Sequence, residues 1–387
     1  MNRRTIVLRS AGVVAGLILL PAGIWGFSLA APALSGITAS SAALTLGSGD
    51  LSTKKADTEA VPMKRTPVSR GCRDLEAAPE EIQPSVPSEK AEGSGSTEIP
   101  SAKPDPEIIA AIPYPEDLTG EDGRILKLSF GHYDGSQYFD LDGGGQVRSG
   151  SEEWDIPSLI AESRRPVDFP LDITPGEPLV LIYHTHTTES YEPSDRTYCD
   201  ASFGSRTTDP EKNVVAVGER ICAELEAAGI PYIHDTLLHD YVSYNAAYDS
   251  SRAAVKELLK KYPSIKIALD IHRDGLQRED GTRLAPVAEI SGREAAQVMI
   301  ISGCDDGSLG LPEYIKNFHF ACALQQRLES SFPGLTRPIL FDYRHYNQDL
   351  TTGSLLIEVG SHGNCLEQAL YSGTLIGKGL AGLITGS

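Results

Sequence analysis

Three short segments of this 387-residue chain bring together side chains able to hold a metal ion and move a proton. Tyr183-His184-Thr185-His186-Thr187-Thr188-Glu189 carries two histidines and a carboxylate, Leu269-Asp270-Ile271-His272-Arg273-Asp274 adds a third histidine, and Leu355-Leu356-Ile357-Glu358-Val359 sets a glutamate inside an apolar run. Zinc takes nitrogen and oxygen ligands in a tetrahedron, and a catalytic zinc keeps one position open for water. His184, Glu189 and His272 meet that requirement, with His184 preferred because it follows the apolar run directly. In an extended chain His184 and His186 point to the same side, and His186 to Glu189 has the H-x-x-E spacing of zinc carboxypeptidases, so His186 is the rival first ligand. Glu211, just ahead of a helical pattern, is the rival carboxylate, or simply a charge that favours a helix N-terminus. Each histidine alone has a structural reading, since imidazole finds hydrogen-bond partners in many places. Their joint placement is what points to a site.

Glu358 invites the second half of the chemistry. An ionised carboxylate left unpaired in a buried run is costly. A metal-bound water has its pKa lowered to about 7, and a carboxylate beside it can take the proton and return it to a leaving amine. The structural alternative is an ion pair with Arg273 or Arg344.

Positioning these groups takes strands and helices in alternation. Leu179–Tyr183 is a short apolar run of the kind that forms a strand buried on both faces. Val214, Val217, Ile221 and Leu225 recur at helical spacing, with Asn213 placed to cap the start and Gly229 to stop the helix. The cycle continues with strands at Ile230–Ile233, Ile265–Ile271, Val298–Ser302 and Leu355–Val359, and helices at Ala246–Lys261, Tyr314–Ser330 and Cys365–Ile384. This predicts an α/β domain with a largely parallel central sheet flanked by helices. Ligands bind beyond the carboxyl ends of the strands in such sheets, and there lie His184, His186 and Glu189, then His272, Arg273 and Asp274, then Glu358, Ser361, His362 and Asn364.

The rest of the chain divides by composition. Arg3, Arg4 and Arg9 precede an uncharged stretch from Ser10 to Gly49, most apolar from Ala11 to about Leu34. A bilayer core needs roughly 20 apolar residues, so residues 1–36 are expected to be a cytoplasmic tip and transmembrane anchor, with everything after them exported. Cleavage near Ala31 is the competing expectation, although the run exceeds the roughly 7 to 15 residues of a signal h-region. Residues 37–115, rich in Pro, Ser and Glu, lack the apolar area to offset ordering entropy and are expected to be a disordered linker. Residues 116–175 are expected to form a small extended subregion ahead of a catalytic domain at 176–387. A net charge of -19 argues against nucleic acid as a partner. Of six cysteines none shows zinc-ribbon spacing; Cys199 with Cys72 or Cys222 is a conceivable disulfide, and the remainder are expected to be buried thiols.

Taken in order, Tyr183–Tyr191, Asn213–Gly218, Leu269–Asp274, Tyr346-Asn347-Gln348 and Leu356–Gly360 with Asn364 resemble the stage II sporulation protein P family of endospore-forming bacteria. The resemblance implies an amidase-like fold and a zinc N-acetylmuramoyl-L-alanine amidase acting on peptidoglycan, with endopeptidase activity on cross-links. It implies His186, Arg273 and Asn364 as substrate contacts beside the zinc ligands and Glu358. It also implies placement at the septal membrane during engulfment, with stage II sporulation proteins D and M as partners. Two other classes compete: a carboxypeptidase-type zinc peptidase using His186, Glu189 and His272, with Arg273 to recognise a terminal carboxylate, and a non-catalytic wall-binding scaffold. The intact ligand set and Glu358 argue against the scaffold.

Overall fold

The structure, a computed structural model, describes residues 106–241 and 243–387. The anchor and all but the last ten linker residues lie outside this range. No helix among the described residues is long and apolar enough to cross a membrane.

The strands are β1 Gly123–Leu128, β2 Tyr138–Asp140, β3 Gln146–Ser149, β4 Val180–Tyr183, β5 Tyr198–Cys199, β6 Tyr232–His234, β7 Ile267–Asp274, β8 Arg283–Ile290, β9 Arg293–Ala296, β10 Val298–Cys304, β11 Ile339–Tyr343 and β12 Gly353–Ser361. The helices are α1 Pro106–Ile109, α2 Ile156–Ser163, α3 Val214–Ala227, α4 Ala247–Lys261, α5 Tyr314–Ser331 and α6 Leu366–Thr385, with a 3-10 turn at Tyr244–Ala246. Asn213 caps α3 through its side chain to the Val215 amide, and Cys365 with Gln368 forms a capping box on α6.

Eight strands form the central sheet in the order β2-β3-β11-β10-β12-β7-β4-β6. The run β12-β7-β4-β6 is parallel, as is β3-β11-β10, but β10 meets β12 antiparallel and β2 meets β3 antiparallel. The sheet is therefore mixed, where the alternation of strands and helices predicted a largely parallel one. A second sheet, β5-β1-β8-β9, was not anticipated. Its longest strand, β8, contains Pro286, a residue that argues against a strand because it cannot donate to a ladder. Residues 116–175 are woven into both sheets: β1 runs parallel to β8, and β3 runs parallel to β11. The end of the expected linker also packs, with the Ile112 amide bonded to Thr208 Oγ1 at 2.9 Å and the Tyr114 hydroxyl to the Tyr191 carbonyl at 2.7 Å.

Strand periodicity sorts the central sheet into two faces. Val180, Ile182, Ile267, Leu269, Ile271, Ile300, Leu355, Ile357 and Val359 belong to the main core with residues of α3, α5 and α6. Leu181, Tyr183 and Ala268 face the other way and pack against Val255, Leu258 and Leu259 of α4. Asp270, His272, Leu356 and Glu358 share that second face, because β7 and β12 run in register with Leu356 opposite Asp270 and Glu358 opposite His272. None of the five described cysteines is in a disulfide and all are buried, which removes a Cys199–Cys222 bridge; Cys72 lies outside the described residues.

Candidate active site

His186, Glu189 and His272 converge: one ligand atom from each lies within 4.8 Å of the others, the only such group of three or more among the described residues. His186 Nδ1 is 3.4 Å from Glu189 Oε1 and His272 Nδ1 is 3.6 Å from Glu189 Oε2. Glu189 and His272 thus come together as expected, but with His186 and not His184. The reason is local. Strand β4 stops at Tyr183 and the chain turns through residues 185–188. His184 still follows the strand alternation and falls with Ile182 on the α3 side, whereas the turn carries His186 over to the α4 side. There His184 is fully buried, Nδ1 3.0 Å from the Ile271 carbonyl and Nε2 2.8 Å from His234 Nε2. Burial holds its imidazole well below the usual histidine range. Gly218 is what lets α3 approach this pair, since a Cβ there would lie 2.6 Å from His234 Nε2.

The electrostatics of the trio favour a cation. Glu189 is held well below the ordinary carboxylate range: burial opposes this, and His186, His272 and Arg273 outweigh burial. Burial also opposes charge on His272, but Asp270 and Glu189 hold its imidazole well above the ordinary value. The Glu189 carboxylate with the imidazoles of His186 and His272 is a donor set that could hold a zinc ion. Asp270 sits behind the trio, fully buried, its Oδ1 2.8 Å from His272 Nε2, although off the line of a good hydrogen bond. It also accepts from the Thr185 amide at 2.8 Å and the Thr185 hydroxyl at 2.6 Å. Sequence reasoning assigned Asp270 no role, yet it carried the signal used for Glu358, a carboxylate within a buried run.

Glu358 stands on the same face. Its Oε2 is sealed from solvent with no hydrogen-bond partner, and burial, followed by Asp274, pushes its carboxyl up to about 8. Neither Arg273 nor Arg344 pairs with it. Immediately after it the strand bulges before Ser361, a common device beside active sites. Gly360 there has φ +62, and a Cβ would lie 2.6 Å from Asn364 Oδ1.

The expected substrate contacts separate. Arg273 is buried and spent on the backbone: Nε donates to the Ser190 carbonyl at 2.8 Å and a terminal nitrogen to the Ser205 carbonyl at 2.9 Å, while its own amide donates to Glu189 Oε2 at 3.1 Å. It fixes Glu189 instead of offering a guanidinium to ligands. Asn364 is fully buried, accepting from the Ser361 amide and donating to the Pro286 carbonyl and Gln368. Glu211 is exposed and outside the cluster. The wall of the site is instead aromatic: His186 stacks on Tyr244 with centroids 4.5 Å apart and meets Tyr248 edge-on at 5.5 Å, and Tyr248 stacks on Tyr346 at 5.4 Å.

A model of the family described as stage II sporulation protein P matches residues 116–381, a span that holds every one of these side chains. The chain belongs to the stage II sporulation protein P family. One curated member, the stage II sporulation protein P of Bacillus subtilis (strain 168), is 32% identical over 212 residues, which cover 52% of this chain and 50% of that protein. The chain thus spans about half the length of the curated relative it matches. Among solved structures, the N-acetylmuramoyl-L-alanine amidase AmiC2 of Nostoc punctiforme is 14% identical with a TM-score of 0.33, the match covering 55% of this chain and 97% of that one. The CwlD amidase from Clostridioides difficile, in complex with the GerS lipoprotein, is 11% identical with a TM-score of 0.35, covering 54% and 100%. Likeness that low carries no activity across. For this member of the family, the chemistry must be argued from the site itself.

Proposed function

We propose that the chain is a zinc-dependent peptidoglycan hydrolase, an N-acetylmuramoyl-L-alanine amidase with endopeptidase activity on cross-links, which removes stem peptides during sporulation engulfment. The observation that carries the reading is the orphaned Glu358 Oε2 on the sheet face that also bears His272, beside the convergent His186, Glu189 and His272. Zinc held by those three would supply Lewis acidity, polarising the scissile carbonyl and acidifying a water to a pKa near 7. Glu358 takes a proton from the attacking water as its oxygen bonds to the carbonyl carbon, then hands that proton to the amine as the C–N bond breaks. Asp270 and Arg273 hold His272 and Glu189 in place meanwhile.

Export and retention by the uncharged N-terminal stretch, with the site outside the membrane, belong to the same proposal, as does partnership with stage II sporulation proteins D and M. A carboxypeptidase reading loses its recognition group, because Arg273 is buried and bonded to carbonyls. The test is to digest purified sacculi with the zinc-loaded full chain and to identify the new ends by mass. Free L-alanine amino termini and peptide-free muramic lactyl groups are expected. Loss of C-terminal residues alone would move the protein to the carboxypeptidase class, and no release at full zinc occupancy would make it a scaffold.

A further inference from the structure

The motif Tyr346-Asn347-Gln348 is not used by the metal site or by Glu358, yet the fold spends a great deal on it. Tyr346 has φ +41 and Asn347 φ +55, two successive residues with a Cβ in the left-handed region, and such strain persists only where surroundings impose it. Here they do. The Asn347 amide group donates to the Tyr248 carbonyl at 3.0 Å and to Ser251 Oγ at 3.2 Å, and accepts from Arg252 at 3.3 Å. Gln348 accepts from the Gly303 amide at 2.9 Å and donates to the Ile301 carbonyl at 3.0 Å. Both amides are buried. A side chain at Gly303 would strike the Arg344 carbonyl, so β10 is kept bare for the loop to lie on it.

The result of this clamping is the position of one ring. Tyr346 packs on the cluster of Ile301, Leu340 and Leu356, as does Met299. Register puts Met299 opposite Glu358 and Ile301 opposite Leu356, so this is the sheet face that carries Glu358 and, one strand over, His272. Its other neighbour is Tyr248, which lies over His272 at 6.5 Å between centroids. Unlike Asn347 and Gln348, the Tyr346 hydroxyl makes no hydrogen bond among the described residues, and the ring is only partly buried. Burial raises the phenol above its ordinary value, so it holds its proton at neutral pH and can donate it to an acceptor.

We propose that Tyr346 is a catalytic residue of this site, its hydroxyl donating a hydrogen bond to the carbonyl oxygen of the scissile amide as that oxygen gains charge. This deepens the hydrolase reading and rests on it. Water adds to the carbonyl carbon and the C–N bond breaks, with Glu358 carrying the proton to the amine; Tyr346 gives up no proton and acts through a hydrogen bond that is stronger to the tetrahedral oxygen than to the planar one. The strained backbone fixes the donor in advance, which is where such a bond gains its catalytic value.

The experiment uses the zinc-loaded full chain and a soluble muramoyl peptide, comparing wild type with Tyr346→Phe and Tyr248→Phe. The Tyr346→Phe variant keeps the ring and its packing; kcat should fall about 10²-fold, with KM within about twofold and zinc content unchanged. A phosphinate analogue of the muramoyl–alanine bond, a mimic of the tetrahedral species, should bind this variant more weakly by a factor close to the loss in kcat/KM. Tyr248→Phe, which alters the wall of the site without touching the proposed donor, should lose clearly less kcat than Tyr346→Phe. Wild-type kcat in Tyr346→Phe, loss of zinc from it, unchanged analogue affinity, or transfer of the kcat loss to Tyr248→Phe would each overturn the assignment. An inactive wild type would instead bring down the hydrolase reading itself.

Discussion

Replacing Glu358 by Gln separates what this carboxylate costs from what it does. In the metal-free protein burial, then Asp274, raises its carboxyl from 4.5 to about 8 against the pull of His272. An acid whose folded pKa lies above its unfolded value holds its proton more tightly when folded. Its contribution to stability is therefore complete below about pH 4.5 and is lost as pH rises toward about 8. At about 1.36 kcal/mol per unit, the loss at pH 7 is at most about 3 kcal/mol. Gln does not titrate. With zinc chelated, the melting temperature of Glu358→Gln should gain on wild type by roughly 5–10 °C between about pH 5 and about pH 7, at about 2–4 °C per kcal/mol for a domain of this size. A cation at the trio favours the ionised carboxylate and draws its pKa down, so added zinc should flatten the difference. The same substitution should slow release of stem peptides by about 10² to 10⁴-fold while zinc stays bound. Parallel melting curves across that pH range, or release at near wild-type rate, would refute the assignment.

Metal analysis should divide the two neighbouring histidines: His186→Ala loses zinc, whereas His184→Ala keeps it and melts lower, since the buried Ile271 carbonyl and His234 lose a partner worth about 1–3 kcal/mol. Full zinc in His186→Ala would restore His184 as ligand. Asp270→Asn should weaken zinc about 10 to 100-fold in a chelator competition, and an unchanged affinity would reduce Asp270 to a scaffold for Thr185. Gly218→Ala gains up to about 1 kcal/mol of helix propensity but forces the new Cβ against His184 and His234, at about 1–3 kcal/mol; thermal denaturation should therefore show a net loss, and a rise would place the rings further from α3.

How far the sequence reached depended on whether a signal was local. Strands β4, β7, β10 and β12 and helices α3 to α6 were legible within a few residues, because each is an apolar run or an amphipathic repeat, and α3 is bounded besides by Asn213 and Gly229. Strands β8 and β9 were not, since Pro286 disguises the first and Arg293-Glu294 the second, and the pairing of β8 with β1 depends on a partner far away in the chain. His272 and Glu358 stood out as chemistry because they stand at or in apolar runs, and Glu189 because it lies five residues after His184 at a strand-to-loop junction. The choice between His184 and His186 was not, since both fit one face of a strand whose end no residue type announces. Tyr244, Tyr248 and Tyr346 reach the site from a loop, a helix and a second loop, and only the tertiary fold brings three unremarkable tyrosines together.

What joins those distant pieces is a line of hydrogen bonds that ends on Asp270. Thr185 Oγ1 donates to Asp270 Oδ2 at 2.6 Å and meets Ser251 Oγ at 2.8 Å; Ser251 accepts from Asn347 at 3.2 Å and has the Tyr248 carbonyl at 3.3 Å as a further acceptor for its proton. The line ends on Asp270, whose other carboxylate oxygen faces His272 at 2.8 Å. The strained loop that carries Tyr346, the start of α4 and Asp270 are therefore linked by one buried polar chain, which stops short of a well-aligned bond to His272. Removing any link would strand a buried donor or acceptor and loosen two sides of the site together. That arrangement gives Thr185 its place, between the loop of Tyr346 and the carboxylate behind His272, while the histidines on either side of it divide between the core and the cluster of His186, Glu189 and His272.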